Sequence, residues 1–281
     1  MTRIVNNCVA LVCLCLFWGQ SLRAADASHS EQIKWGNESV FNEEHNTLGL
    51  FSGVLGGQIV LAGGTSDDYS RWGRNAVCLS ENAGFALYED VLSKPLAYGA
   101  SITLSDGILC IGGRDSSQCY KDVFLVTMQQ GKLNVSEDWP PLPFPLSNAA
   151  GALLDNKVYL FGGRKSLSPS RLSDSFFVLD LSNKSRGWKE LPGYPGCVRE
   201  DAILVVQNNG VSPCLYLLGG QTETEEGLSS CLTDGYVYNP QLGKWSSLGS
   251  DFPKGICAAV ASGANHILLF QKEPEDTQHL K

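Results

Sequence analysis

Two arginines occur in the same local context at separate points of the chain. Arg114 and Arg164 each directly follow a pair of glycines that ends a short apolar run. A guanidinium binds a carboxylate through two parallel N–H···O hydrogen bonds, so an arginine at a concave surface suits an acidic ligand. The alternatives for each arginine are a solvated loop charge and an ion pair between repeats. Which alternative holds depends on how the apolar runs are arranged.

The apolar runs belong to an internal repeat of roughly 50 residues. The glycine pairs begin at Gly63, Gly112, Gly162 and Gly219. A strand rich in small residues precedes each pair, and a third strand-like segment follows. Tryptophans are expected to open a fourth strand in three of the units, at Trp139, Trp188 and Trp245. Four strands in a repeat of this length are typical of a β-propeller blade, so the sequence predicts an all-β, kelch-type β-propeller.

The repeat also predicts the domain organisation. The expected blades are 48–95, 96–145, 146–195 and 196–252, with part of a fifth at 253–270. About four and a half blades are therefore expected. Residues 271–281 read as an atypical polar tail, because they carry charge and no alternating apolar pattern.

The amino-terminal residues predict an export signal. Arg3 gives a short basic start, residues 8–18 are an apolar core, and residues 25–27 form a small-residue cleavage site. The apolar core is too short to span a bilayer comfortably. We therefore expect residues 1–27 to be a signal peptide and the mature protein to be secreted or periplasmic, without a membrane anchor.

Composition narrows the classes of ligand. The chain has 281 residues and a net charge of −8, which argues against binding to nucleic acid or to anionic membranes. Seven cysteines lie beyond the predicted signal, and their pairing is open because no spacing defines it. No C-x-x-C pair occurs and only four histidines are present, so we expect neither a metal site nor a cofactor.

Finer features resemble the sialic acid mutarotases, also called N-acetylneuraminate epimerases. The stretches that carry the resemblance are 48–64, 96–113 with 122–135, and 199–248. The order of the units resembles the cyclically permuted branch of that family, in which residues 28–47, including Trp35, would supply the closing strand of the last blade. The resemblance implies a six-bladed kelch propeller. It also implies interconversion of the α and β anomers of sialic acid by acid- and base-assisted ring opening.

The resemblance and the repeat together suggest substrate-binding residues. Arg199, with Glu200 and Asp201, falls where the family has an arginine–acidic pair, and Tyr98 matches a family tyrosine. Arg114 and Arg164 join this set because their positions after glycine pairs are expected to face the same mouth of the propeller. The expected ligand is sialic acid or a related sugar acid.

The catalytic residues are not identified by the resemblance. The family's acid/base glutamate and its companion arginine would lie on the blade after residue 270, and no position in the chain matches them. Two functions therefore stay open: a sialic acid mutarotase, inactive if that blade is absent, and a non-catalytic secreted propeller that binds glycan or protein through its loops. An incomplete ring would expose sheet edges, which favours a homo-oligomer.

Overall fold

A computed structural model describes residues 48–80 and 84–271, which form an all-β fold. The predicted signal peptide and closing strand lie outside the described residues, as does the predicted tail apart from Gln271. Four four-stranded antiparallel sheets follow one another along the chain and precede a two-stranded sheet. This arrangement confirms the predicted kelch-type propeller, with four complete blades. No helix in the described part of the chain is long and apolar enough to span a membrane.

The strands pair in chain order within each blade. Blade 1 contains β1 (Phe51–Leu55), β2 (Gln58–Ala62), β3 (Ala76–Ser80) and β4 (Gly84–Tyr88). Blade 2 contains β5 (Ala100–Thr103), β6 (Ile108–Ile111), β7 (Val123–Gln129) and β8 (Lys132–Ser136). The first strands of consecutive blades contact each other, so these strands line the centre of the propeller.

Blades 3 and 4 each carry an added hairpin after their second strand. Blade 3 contains β9 (Ala150–Leu154), β10 (Lys157–Phe161), the hairpin β11 (Arg164–Leu167) and β12 (Ser170–Leu172), β13 (Phe176–Asp180), a 3₁₀ helix (Leu181–Arg186) and β14 (Lys189–Glu190). Blade 4 contains β15 (Ile203–Asn208), β16 (Pro213–Leu218), the hairpin β17 (Gln221–Glu223) and β18 (Ser229–Cys231), β19 (Gly235–Asn239) and β20 (Lys244–Gly249). The two-stranded sheet is β21 (Ile256–Ser262) with β22 (His266–Gln271).

The hydrophobic core lies between neighbouring blades. Phe51 of blade 1 packs edge-on against Phe124 of blade 2, with ring centroids 5.6 Å apart. Phe176 of blade 3 packs in the same way against Tyr238 of blade 4, at 4.9 Å. Large clusters of buried side chains join blades 1 and 2, blades 2 and 3, and blades 3 and 4. Each blade is therefore stabilised mainly by burying its faces against its neighbours.

A chain of backbone hydrogen bonds runs from blade to blade around the centre. The N–H of Tyr98 donates to the carbonyl of Gly49 at 2.7 Å, and the N–H of Asn148 donates to Tyr98 at 2.7 Å. The N–H of Asp201 donates in turn to Asn148 at 3.0 Å. All four residues have φ between 52° and 64°, the left-handed region. We call these four residues the inner ring.

The glycine pairs of blades 1, 2 and 3 bring each of these blades close to the next one. Gly113 donates its N–H to the carbonyl of Leu146 at 2.7 Å, and a Cβ added to Gly112 would lie 2.2 Å from the same oxygen. Gly64 donates to the carbonyl of Leu96 in the same way, at 2.9 Å. The repeat therefore keeps glycine there because a side chain would collide with the neighbouring blade.

One expectation about the tryptophans was wrong. Trp245 lies within β20 and Trp188 directly precedes β14, but Trp139 lies beyond the end of β8 rather than at its start. Gln130 and Gly131 both have positive φ and form a two-residue turn after β7. A turn of this kind starts the next strand at once, so the fourth strand of blade 2 is complete before Trp139 is reached.

Arg199 is a buried cross-link rather than a cavity residue. Its side chain is 0% exposed and donates two hydrogen bonds to Asp234, at 2.7 and 2.8 Å. It also donates to the hydroxyl of Tyr194 at 2.9 Å and to the carbonyl of Gly219 at 2.8 Å. Burial favours a higher pKa for Asp234, but the hydrogen bonds and charge of Arg199 outweigh it, and the pKa lies below its usual range.

The cysteines that the structure describes are free thiols. Four of them are buried: Cys78, Cys110, Cys119 and Cys214. Burial raises the pKa of the Cys78 thiol to about 11, which leaves it uncharged at neutral pH. These side chains act as small apolar groups in the core.

We predict that Gly112→Ala lowers the free energy of unfolding by about 2–5 kcal/mol, because left-handed strain is joined by a clash with Leu146. Gly131→Ala is the matched control: Gly131 also has positive φ, 74°, but open space surrounds it. That control is expected to lose only about 1–2 kcal/mol. Urea unfolding monitored by circular dichroism measures both. Equal losses would contradict the close contact between blades.

We predict that Asp234→Asn lowers the free energy of unfolding by about 3–5 kcal/mol, because it leaves the Arg199 charge buried without its partner. Asp90→Asn is the control, since the Arg74–Asp90 pair is exposed and is expected to contribute about 1 kcal/mol or less. Guanidinium chloride unfolding compares the two variants. A loss for Asp234→Asn no greater than for the control would show that the buried pair adds no stability.

The same pair predicts a pH dependence. The folded-state pKa of Asp234 is depressed, so the pair stabilises the fold above about pH 4, the pKa of an unfolded aspartate. This stabilisation is lost as the pH falls from there through the lower folded-state pKa. We therefore expect the free energy of unfolding to decrease more steeply as the pH is lowered from about 5 to about 2 in the wild type than in Asp234→Asn. Unfolding curves recorded at a series of pH values measure it.

Candidate functional site

Equivalent residues from the blades meet at one end of the propeller. The residue after each glycine pair forms a β-bridge with the residue just before the inner-ring position of the same blade. Arg114 bridges Ala97 in this way, and Arg164 bridges Ser147. In each blade, the residue that follows the glycine pair therefore lies close to the inner-ring residue. Both residues lie at the mouth of the propeller.

A cavity of about 380 Å³ lies at this mouth. Its lining residues come from all four blades: Tyr69, Tyr98, Arg114, Asn148, Arg164, Leu167, Glu200 and Asp201. The volume is within the range of small-molecule sites, which is roughly 300–1,000 Å³. The lining combines aromatic rings, two arginines and two carboxylates, so it suits a polar ligand with charged groups.

The structure brings four of the five predicted site residues together. Tyr98, Arg114, Arg164 and Glu200 line the cavity, whereas Arg199 does not. The binding roles of all five remain predictions. Asp201, which the resemblance placed beside Glu200, also lines the cavity. Asn148 was not predicted as a site residue, although the repeat aligns it with Tyr98. Tyr69 gave no repeat signal, because it lies in a loop of blade 1 with no counterpart at the same position in the other blades.

Arg164 is already neutralised by protein carboxylates. Its Nε donates to Glu200 at 2.9 Å, and its Nη2 contacts both Glu200 and Glu223, the latter at 2.8 Å. Ser170 donates to Glu223 at 2.6 Å and is the main reason that the pKa of Glu223 is lowered. The guanidinium is therefore committed to holding the β11–β12 hairpin against blade 4.

Arg114 has a different environment. Its guanidinium carbon lies 4.6 Å from the ring centroid of Tyr98, 5.1 Å from Trp72 and 5.8 Å from Tyr69. Its only hydrogen bond from the side chain within residues 48–80 and 84–271 is a long one, 3.5 Å, to the carbonyl of Asp115. No carboxylate in those ranges forms an ion pair with it. The charge is therefore oriented by aromatic faces and remains available to an anion.

The aromatic wall beside Arg114 is held in a strained conformation. Tyr69 and Tyr98 both have φ of 59°, which is uncommon for bulky residues. Asp68 accepts hydrogen bonds from the hydroxyls of Ser66 and Ser70, at 2.6 and 2.8 Å, and these bonds fix the loop that carries Tyr69. Strain of this kind is characteristic of binding sites, where the surrounding structure imposes the conformation.

Asp201 occupies the inner-ring position of blade 4. Asn148 donates to its Oδ1 at 2.8 Å and Gln221 donates to its Oδ2 at 3.2 Å. The residue is solvent-exposed as a whole, while its carboxyl group lies among the side chains that line the cavity. This loss of hydration raises the pKa of Asp201 to about 6, with a further upward contribution from Glu200 and opposing ones from Asn148, Arg164 and Arg114.

No metal site is evident in the described part of the chain. No group of three or more histidine, cysteine, aspartate or glutamate side chains there has the geometry to hold a metal ion. A smaller cavity of about 230 Å³ lies between blades 1 and 2, where Lys94 and Asp122 form an ion pair at 2.9 Å. It contains none of the predicted site residues.

Comparison with known proteins points to one family. Residues 139–272 match the family model for N-acetylneuraminate epimerase. The N-acetylneuraminate epimerase of Yersinia pestis (strain Pestoides F) is 30% identical over 139 residues, which cover 48% of this chain and 33% of the relative. That of Haemophilus influenzae (strain PittEE) is 31% identical over 131 residues, covering 47% and 32%.

A third relative carries the name of the fold. A "Kelch domain-containing protein" of Vibrio cholerae serotype O1 is 30% identical over 141 residues, which cover 49% of this chain and 36% of the relative. The chain thus spans about a third of the length of the relatives that it matches. The family model includes Arg164, Glu200 and Asp201, while Tyr98 and Arg114 lie before it. The chain is a kelch-type β-propeller related to the N-acetylneuraminate epimerase family through residues 139–272.

Proposed function

We propose that the mouth cavity binds N-acetylneuraminate or a related sugar acid and interconverts its α and β anomers. The observation that carries this proposal is Arg114, a cation at the cavity that aromatic rings orient and that no carboxylate among the described residues pairs with. Relatives named N-acetylneuraminate epimerase support the choice of ligand. Export to the periplasm or the cell exterior is also proposed, on the amino-terminal sequence alone.

The chemistry of the ligand fits the charges of the cavity. A guanidinium pairs with a carboxylate more strongly than with a neutral oxygen, so Arg114 is the proposed partner of the sugar's carboxylate. The faces of Tyr69 and Tyr98 offer apolar surface to the carbon skeleton of the sugar. Arg164 is excluded as the main anchor, because Glu200 and Glu223 already neutralise it.

Anomer interconversion requires two proton transfers. The bond between the ring oxygen and the anomeric carbon breaks as the ring oxygen gains a proton and the anomeric hydroxyl loses one. The open-chain ketone then rotates, and closure on its other face gives the second anomer. Proton donors and acceptors beside the ring accelerate both directions equally.

We predict that Arg114→Met weakens binding of N-acetylneuraminate by about 10–100-fold, because hydrogen bonds to charged groups contribute about 1.5–3 kcal/mol. Arg186→Met is the matched control, since Arg186 is exposed on the 3₁₀ helix, away from the cavity, and has the same charge. Isothermal titration calorimetry measures both dissociation constants. Unchanged binding by Arg114→Met would exclude Arg114 as the anchor.

Exchange spectroscopy separates the two functions that the sequence left open. The wild type is expected to increase the rate of exchange between the anomeric NMR signals of N-acetylneuraminate. Binding without faster exchange would assign the protein to the non-catalytic, glycan-binding class. Absence of binding at millimolar sugar would refute the proposed ligand.

A further inference from the structure

Asp201 combines access to the cavity with fixed orientation. It lines the cavity, and its backbone takes the left-handed conformation with φ of 52°. Its main-chain N–H is bonded to Asn148 as part of the inner ring, so the position of its Cα is set by the fold. The backbone bond therefore keeps the Cα of Asp201 at the mouth, and hydrogen bonds from Asn148 and Gln221 hold its carboxyl group there.

Neutral amides orient both oxygens of this carboxyl. Asn148 contacts Oδ1 and Gln221 contacts Oδ2, and the hydroxyl of Ser229 in turn bonds the amide oxygen of Gln221. Amide N–H groups hold a carboxyl in place without supplying the full positive charge that would keep it ionised. Asp201 is thus oriented like an ion-pair partner, but no cation in the described part of the chain forms an ion pair with it.

The charges around Asp201 favour its protonated form when an anion enters. Glu200 is adjacent and carries a negative charge, while Arg164 is neutralised by Glu200 and Glu223. Arg114 is the remaining nearby cation, and Tyr98 is the other titratable group that faces Asp201. A ligand carboxylate that pairs with Arg114 removes that cation's influence and adds a negative charge beside Asp201.

We propose that Asp201 is the proton-transfer residue of the cavity, which takes up a proton as an anionic sugar binds and delivers it to the ring oxygen. This inference rests on the proposed function. The pKa of about 6 supports it, because a general acid works best when its pKa lies near the operating pH. Tyr98 is a weaker candidate, since burial raises the pKa of its hydroxyl far above neutral pH.

Asp201 recovers in ring closure the proton that it gives up in ring opening. The proton on Asp201 moves to the ring oxygen as the bond from that oxygen to the anomeric carbon breaks, and the anomeric hydroxyl gives its proton to water as a ketone forms. In ring closure, the new hydroxyl returns its proton to the Asp201 carboxylate while its oxygen attacks the ketone. The ketone oxygen takes a proton from water. The protein and the sugar end with the atoms with which they began.

The test uses Asp201→Asn, which keeps the size of the side chain and tolerates the left-handed conformation. Asp138→Asn, an exposed change outside the cavity, is the matched control. Calorimetric titration of N-acetylneuraminate near pH 6.5, in two buffers of different ionisation enthalpy, gives the number of protons taken up on binding. The wild type and Asp138→Asn are expected to take up a fraction of a proton per sugar bound. Asp201→Asn is expected to take up none.

Exchange spectroscopy on the same three proteins tests the transfer step. Asp201→Asn is expected to bind the sugar but to catalyse exchange about 100-fold more slowly, as for loss of a general acid. The wild-type rate with bound sugar should fall as the pH rises through the pKa of Asp201, because the protonated form is the donor. Asp201→Asn should show no such fall.

The alternative outcomes are distinguishable. If Asp201→Asn exchanges the anomers as fast as the wild type, the role of Asp201 is refuted and the proposed function stands. If the wild type binds the sugar without accelerating exchange, the proton-transfer role and the mutarotase activity are both refuted, and binding stands. If the wild type does not bind the sugar, both proposals are refuted.

Discussion

The hydrogen bonds of the inner ring are the constraint on which the rest of this structure depends. Each blade contributes one residue in the left-handed conformation to this ring. Its carbonyl accepts a hydrogen bond from the next blade, its N–H donates one to the previous blade, or it does both. These bonds fix the start of every inner strand, and therefore which side chains face the mouth. The glycine pairs complete the junction, because they let the carbonyls of the adjoining blade approach without a clash.

Three arginines near the junctions between blades differ because of the carboxylates near them. Arg199 is enclosed by Asp234 and Tyr194 and becomes part of the core. Arg164 shares two carboxylates at the edge of the cavity. Arg114 meets aromatic rings and keeps its charge available. The electrostatics of the mouth thus follow from where acidic residues fall, rather than from the number of arginines.

The repeat made the fold predictable, and it made part of the site predictable. Arg114 and Arg164 were predicted to face the mouth because they follow glycine pairs, and the glycine pairs of blades 1 to 3 mark close backbone contacts with the next blade. Arg199 does not line the cavity because its side chain is buried against Asp234, a contact that the repeat pattern does not reveal. Tyr69 depends on a loop bonded internally through Asp68, and Asp201 depends on amides from two blades. The amides that contact Asp201 come from separate parts of the chain, so no local pattern reveals these contacts. The loop that carries Tyr69 occurs in one blade, so the repeat does not reveal it.

The inner ring uses only main-chain atoms, and its four positions carry glycine, tyrosine, asparagine and aspartate. Stability and ligand preference therefore reside in different atoms of the same residues. Duplicated repeats that share this junction are free to diverge in what they recognise, one blade at a time, while the junction itself stays unchanged. A propeller of this kind can change its specificity through single substitutions at the ring without a new architecture.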